Sequence, residues 1–162
     1  MMTDKEIISV INNLLEKKEN FTEEYFIDII VFMWDAYFDF GMRRFCIGQN
    51  ILTDNQINEL MEQLPAVQEN ALSKYPNSIE LKFWLIYIDE MTSYEQEDGG
   101  CNKNKIYNLP KSKLSDVLIG FYEHVQLSIT DISRLKELKQ IMDTRKHRFS
   151  SNYLLAYLQN LA

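Results

Sequence analysis

Residues 21–40 read FTEEYFIDIIVFMWDAYFDF, and this stretch decides the fold. Phe26, Ile29, Ile30, Met33, Trp34, Tyr37 and Phe38 recur at steps of three and four, which lays a broad apolar band along a helix. Val31 and the Ile pairs are β-branched, yet the run is too long and too regular for a strand. Thr22 can cap the helix, because its side-chain oxygen can accept from an orphan amide of the first turn, and Gly41 is placed to loosen or end it. The run is apolar enough to suggest a membrane span, but Glu23, Glu24, Asp28, Asp35 and Asp39 interrupt it. Each acid at the middle of a bilayer would cost about 2.5 to 3.5 kcal/mol, so the stretch is expected at the centre of a protein core, with no membrane involved.

The same periodicity extends to both sides. Thr3 with Glu6 makes a capping box before a first helix over about 4–18. Thr53 with Gln56 opens a third through Leu60 and Leu64, where Pro65 starts a further turn or kinks the helix. Asn77 with Glu80 opens a fourth through Leu81, Trp84, Leu85 and Ile88. Over 92–108 the periodicity is lost and Glu95, Gln96, Glu97, Asp98, Gly99 and Gly100 follow one another, so a mobile acidic loop is expected there. Protease should cut it first, after Lys103 or Lys105. Pro110 or Ser112 begins a fifth helix, Thr130 caps a sixth, and Ser150 or Ser151 caps a short last one.

The expected fold is therefore all-α, one domain over 1–162 with six or seven helices. Ile29, Ile30, Met33, Trp34, Leu81, Trp84, Leu85, Leu118 and Phe121 are expected at its centre. Five glycines and three prolines are too few for an all-β chain, which needs a turn about every 8 to 12 residues.

Charge narrows the function. The chain has 17 basic and 24 acidic residues, a net −7 that disfavours a general nucleic-acid binder, whose phosphate contacts need clustered Lys and Arg. Residues 1–100 hold 7 basic and 19 acidic side chains, net −12, whereas residues 101–162 hold 10 and 5, net +5. Such asymmetry points to partner selection or to pairing between the two halves. The basic run Arg145, Lys146, His147 and Arg148 suits the negative end of the sixth helix. Asp4, Lys5 and Glu6 break up the start before any apolar leader develops, which makes a reducing cytoplasm the expected compartment.

Catalytic patterns are missing. His124 and His147 lie 23 positions apart with no second ligand at metal spacing, Cys46 and Cys101 form no C-x-x-C, and there is no phosphate-binding glycine loop. We expect no metal, no cofactor and no enzyme. Cys46, between Phe45 and Ile47, reads as a small buried hydrophobe.

Two acidic clusters are the candidate binding residues. Glu24, Asp28, Asp35 and Asp39 fall within an arc of about 60° of one helix. They form either an ordinary solvated face, paired with Arg43 and Arg44, or a docking strip for a cationic surface. Asp89, Glu90, Glu95, Glu97 and Asp98 form the second cluster, either as a solubilising loop or as a contact surface. Tyr94 and Tyr107 are the aromatics beside it expected at the surface, where a ring face can receive an Arg.

The segment 71–88, ALSKYPNSIELKFWLIYI, resembles the helix, Tyr-Pro turn and Trp-bearing helix of tetratricopeptide-like and half-a-tetratricopeptide repeats. That resemblance implies a helical hairpin in the middle of the chain. In size, helical content, acidic charge and absent chemistry, the whole is similar to the small α-helical immunity proteins of bacterial contact-dependent growth inhibition and related polymorphic toxin systems. This second resemblance implies a cytoplasmic antitoxin that binds one cognate toxin domain, with an acidic face lying in the cationic groove of a nuclease. The alternative is a tetratricopeptide-like adaptor, which would instead present a concave apolar groove to a peptide or protein partner.

Overall fold

A computed structural model describes residues 3–17, 21–92 and 103–161, without the side chains of 103 and 104. Among the described residues there are nine helices and no strand, so the fold is all-α as the periodicity predicts. No described helix is long and apolar enough to cross a membrane. Contacts group the chain into two compact units, Met1–Pro76 with His147–Ser150, and Asn77–Lys146 with Ser151–Ala162.

The first unit is built on the stretch quoted above. α1 (Asp4–Glu16) starts at the expected Thr3 and Glu6 capping box. α2 (Glu23–Phe38) starts at Thr22, whose hydroxyl accepts from the Tyr25 amide at 3.1 Å. From Phe26 to Ala36 every residue of α2 is buried. Such a helix must be covered on all sides, and α1, α3 (Phe40–Gly48) and α4 (Asp54–Lys74) pack against it.

The break after Phe38 is made by Asp39. Its amide donates to the Asp35 carbonyl at 2.8 Å, while its carboxylate accepts from the amides of Gly41 at 2.7 Å and Met42 at 3.2 Å. One residue thus ends α2 and caps α3, an economy that Gly41 alone did not suggest. α4 starts at the expected Thr53 and Gln56 box and continues through Pro65 without starting a new helix. Pro65 is exposed, so the carbonyl that it leaves unbonded lies on the side where water is available.

The second unit comprises α5 (Ile79–Thr92), α6 (Lys103–Tyr107), α7 (Lys113–Leu127), α8 (Ile132–Asp143) and most of α9 (Phe149–Leu158). Phe83, Trp84, Tyr87, Phe121 and Tyr122 are fully buried there, and the Tyr87 and Tyr153 hydroxyls meet at 3.1 Å. Gly120 lets α8 lie close: a Cβ at that position would meet Arg134 at 3.1 to 3.3 Å. Arg134 crosses α7 to the Asp116 carbonyl and, at 3.2 Å, to Glu123.

Several boundaries differ from the expectation. Ser78, not Asn77, caps α5 through the Leu81 amide at 3.2 Å. Asp131, not Thr130, caps α8, since the Thr130 hydroxyl is engaged with His124 Nδ1 at 2.9 Å. α9 begins at Phe149, which puts Ser150 and Ser151 inside it. The expected loop over 92–108 contains α6, whose Ile106 is fully buried, so cleavage after Lys105 would first require a helix to open. Residues 93–102 of that expectation lie outside the described residues. The order of helix, Tyr-Pro turn and Trp-bearing helix is present as α4, Tyr75–Pro76 and α5, with α4 in the first unit and α5 in the second.

Of the expected core, Ile29, Ile30, Met33 and Trp34 are buried in the first unit and Leu81, Trp84, Leu118 and Phe121 in the second, while Leu85 is half-buried. Trp34 is 4% exposed. Trp34→Ala is expected to lose about 3 to 5 kcal/mol in urea unfolding, whereas a loss near zero would place the indole outside the core.

Candidate binding groove

The acidic stripe on α2 is not a surface. Asp28 and Asp35 are each only 6% exposed, because apolar residues surround α2 on its whole circumference through the middle turns and carry the acids inward with them. The expectation of a continuous docking strip, and equally of a solvated face, is corrected on this point.

Each acid has a separate local situation. The Asp28 carboxylate accepts from the Ser150 amide at 3.0 Å and the Ser150 hydroxyl at 2.5 Å, and Arg148 Nε lies at 3.4 Å. A buried carboxylate needs such partners, and these fasten His147–Ser150 to the first unit. Glu24 is exposed in the first turn and, with Asp28, Lys17, His147 and Arg148, lines a small polar pocket of about 150 Å³. Asp39 is exposed and occupied as the cap of α3. Asp35 lies in the last turns of α2, where burial first and the Asp39 charge second push its carboxyl up to about 7. Burial and the Asp35 charge push the Cys46 thiol up to about 11; Cys46 is a fully buried free thiol, consistent with its reading as a core residue. Asp89 is exposed on α5 in the second unit, whereas Tyr94, Glu95, Glu97 and Asp98 lie outside the described residues. Among the described residues no group of three or more His, Cys, Asp or Glu is placed to hold a metal ion.

The first unit has a different concavity. Between α1 and α4, above α2, runs an apolar groove of about 500 Å³. Its floor is Phe26, Ile29 and Met33 of α2; Leu14 and Leu15 of α1 form one wall, and Leu60, Ala66 and Val67 of α4 the other. Gln63 and Asn70 supply the polar groups on the α4 side. Phe21 closes one end, stacked on Phe26 with ring centroids 5.4 Å apart. Its carbonyl is held by Lys74 Nζ at 2.9 Å and the Tyr75 hydroxyl at 3.1 Å, so that end is fixed by α4.

Helical geometry explains why α4 can serve both core and groove. At about 100° per residue, Ile57, Leu64 and Ala71 make a narrow buried line, and Leu60, Gln63, Ala66, Val67 and Asn70 occupy the sector beside it. Glu62 and Glu69 occupy the next sector, and Glu59 falls at the angle between Ala66 and Asn70, earlier on the helix. All three are exposed, and they border the groove with negative charge.

A second exposed apolar feature lies at the α2–α3 corner. Phe38 and Phe40 are 49% and 70% exposed, with Arg43 stacked over Tyr37 at 5.5 Å and Arg44 over Phe40 at 5.1 Å. Arg43 is also held by Asp54 at 2.8 Å and by Asn58 at 2.7 Å.

No protein family, curated protein or solved structure matches the chain.

Asp35 gives a pH test of this geometry. Its folded-state pKa of about 7 exceeds its ordinary 3.8, so the folded protein holds the proton more tightly. Its contribution is complete below pH 3.8 and is lost as pH rises to about 7. Relative to Asp35→Asn, the wild type is expected to lose up to about 4 kcal/mol across that window in urea unfolding at successive pH values. Parallel curves for the two proteins would mean that the carboxyl is solvated.

Proposed function

We propose that the protein is a binding protein that captures and neutralises a cationic protein partner, of the toxin-domain class suggested by its likeness to immunity proteins. The observation that carries this reading is the unmatched negative charge of the first unit. Its sequence holds 13 acidic and 7 basic residues, net −6, against 11 and 10, net −1, in the second. Four of its seven cations are engaged: Arg148 is buried with Asp28, Arg43 is bound to Asp54, Arg44 lies on Phe40, and Lys74 reaches the Phe21 carbonyl. Glu59, Glu62 and Glu69 remain exposed along α4 and make no ion pair within the described residues.

An unmatched acidic face attracts a cationic protein over long range, raises the association rate and disfavours partners of like charge. The apolar groove beside it favours a second reading, an adaptor that holds a partner segment without inhibiting anything. The two readings share the binding step and differ in its consequence.

The test starts from the neighbouring gene: a toxin-type open reading frame there supplies the protein whose activity is measured with and without this one, and the absence of such a frame counts against neutralisation. Stoichiometric inhibition supports neutralisation, whereas binding with undiminished activity supports the adaptor. Reversing Glu59, Glu62 and Glu69 to Lys should slow association by about tenfold or more at low ionic strength, where the Debye length is about 30 Å. An association rate untouched by both reversal and salt would remove charge from the recognition.

A further inference from the structure

We infer that the groove between α1 and α4 seats an amphipathic cationic helix of the partner, apolar face down and Lys or Arg toward α4. The inference rests on the reading of this protein as a binder of a cationic protein, and it names the segment that is bound and the place where it lies.

The shape selects a helix. From Leu60 to Asn70 the α4 wall is about 15 Å long at about 1.5 Å per residue, which matches about three turns of a bound helix. An extended segment pairs its backbone with the edge of a sheet. The described residues contain no strand, and the accessible lining of the groove at Leu15, Leu60, Ala66 and Val67 is apolar. A strand laid here would leave its own amides and carbonyls unpaired against that lining, whereas a helix satisfies them internally. A volume of about 500 Å³ has room for anchors at steps of three and four along one helix face.

The border selects the charge. Glu59, Glu62 and Glu69 follow the groove on its α4 side, where the basic flank of a seated helix would run. Lys74, a cation at the Phe21 end, has its ammonium on the Phe21 carbonyl. Gln63 and Asn70 stand between the apolar floor and the acids and can bond the polar shoulder of the incoming helix. The Phe21 end is already held by Lys74 and Tyr75, so little ordering is needed on binding there.

The test is fluorescence anisotropy of a labelled 14-residue helical peptide made of leucine and lysine, with leucines on one face. Three controls accompany it: the same peptide with glutamate for lysine, a scrambled peptide without an apolar face, and a dodecyl-chain probe. The leucine–lysine peptide should bind at least about tenfold more tightly than the glutamate or scrambled peptide. Ala66→Trp, which fills the groove from an exposed position, should weaken binding by about tenfold or more, as should Gln63→Trp. Glu59→Lys with Glu62→Lys should weaken it at low salt and reduce its salt dependence.

Equal binding of the scrambled peptide, or unchanged affinity in both tryptophan variants that melt like the wild type, would overturn the inference. So would a dodecyl probe that occupies the groove while the peptide does not, or a dimer of this chain that Ala66→Trp abolishes. The two proposals can fail separately. If the tryptophan variants keep full affinity for the cationic protein while the α4 reversals lose it, the groove is wrong and the charge reading stands. If the peptide seats as described but no cationic protein is bound, the functional reading is wrong and the groove stands.

Discussion

The burial of α2 on every side is the constraint on which the first unit depends. Eleven consecutive residues from Phe26 to Ala36 leave solvent together, so α2 has no free face and neighbours must surround it. α1, α3, α4 and the returning segment His147–Ser150 do so. Two carboxylates inside the run pose the main difficulty, because burying an acid without partners costs several kcal/mol. Asp28 is provided for by Ser150 and Arg148, and this requirement accounts for a segment some 120 residues away joining the first unit. Asp35 is left to hold its proton instead, with its carboxyl raised towards neutrality.

The groove follows from the same constraint. α1 has 13 residues and α4 has 21, so the two cannot cover α2 to the same extent. They part above Phe26, Ile29 and Met33, which stay more than nine-tenths buried at the bottom of the trough. α4 serves three purposes on three sectors of one helix: core contact through Ile57 and Leu64, a wall through Leu60 and Val67, and charge through Glu62 and Glu69. A surface that combines an apolar trough with an acidic border separates affinity from speed. In the proposed binding, the trough would supply the buried contacts that slow dissociation, and the border the attraction that speeds encounter.

Much of the fold was legible in the sequence because its signals are local. The capping boxes at Thr3 and Thr53 and the threonine cap at Thr22 act within three residues, and each is found where the spacing placed it. Caps with close competitors were misassigned: Ser78 stands beside Asn77 and Asp131 beside Thr130, and only the folded backbone decides between them. α6 was missed because five residues are too few for periodicity to register, although Ile106 and Leu109 in a polar stretch were a hint that it packs. The stripe was misread for a further reason. A helical wheel gives the angle between residues but not which angles face water, and Asp28 finds its partners at Arg148 and Ser150, which no local pattern announces. The groove was legible only as the apolar residues of α4 at Leu60 and Leu64, since a wall becomes a groove only once α1 and α2 are in place.

Amide hydrogen exchange on the protein in complex with the proposed cationic partner tests the central claim most directly. The account predicts that binding adds protection along 59–70 of α4 and near Leu14 and Leu15 of α1, with the amides of α2 already protected in the free protein and little changed. Added protection confined to the second unit, with α1 and α4 exchanging as in the free protein, would contradict it.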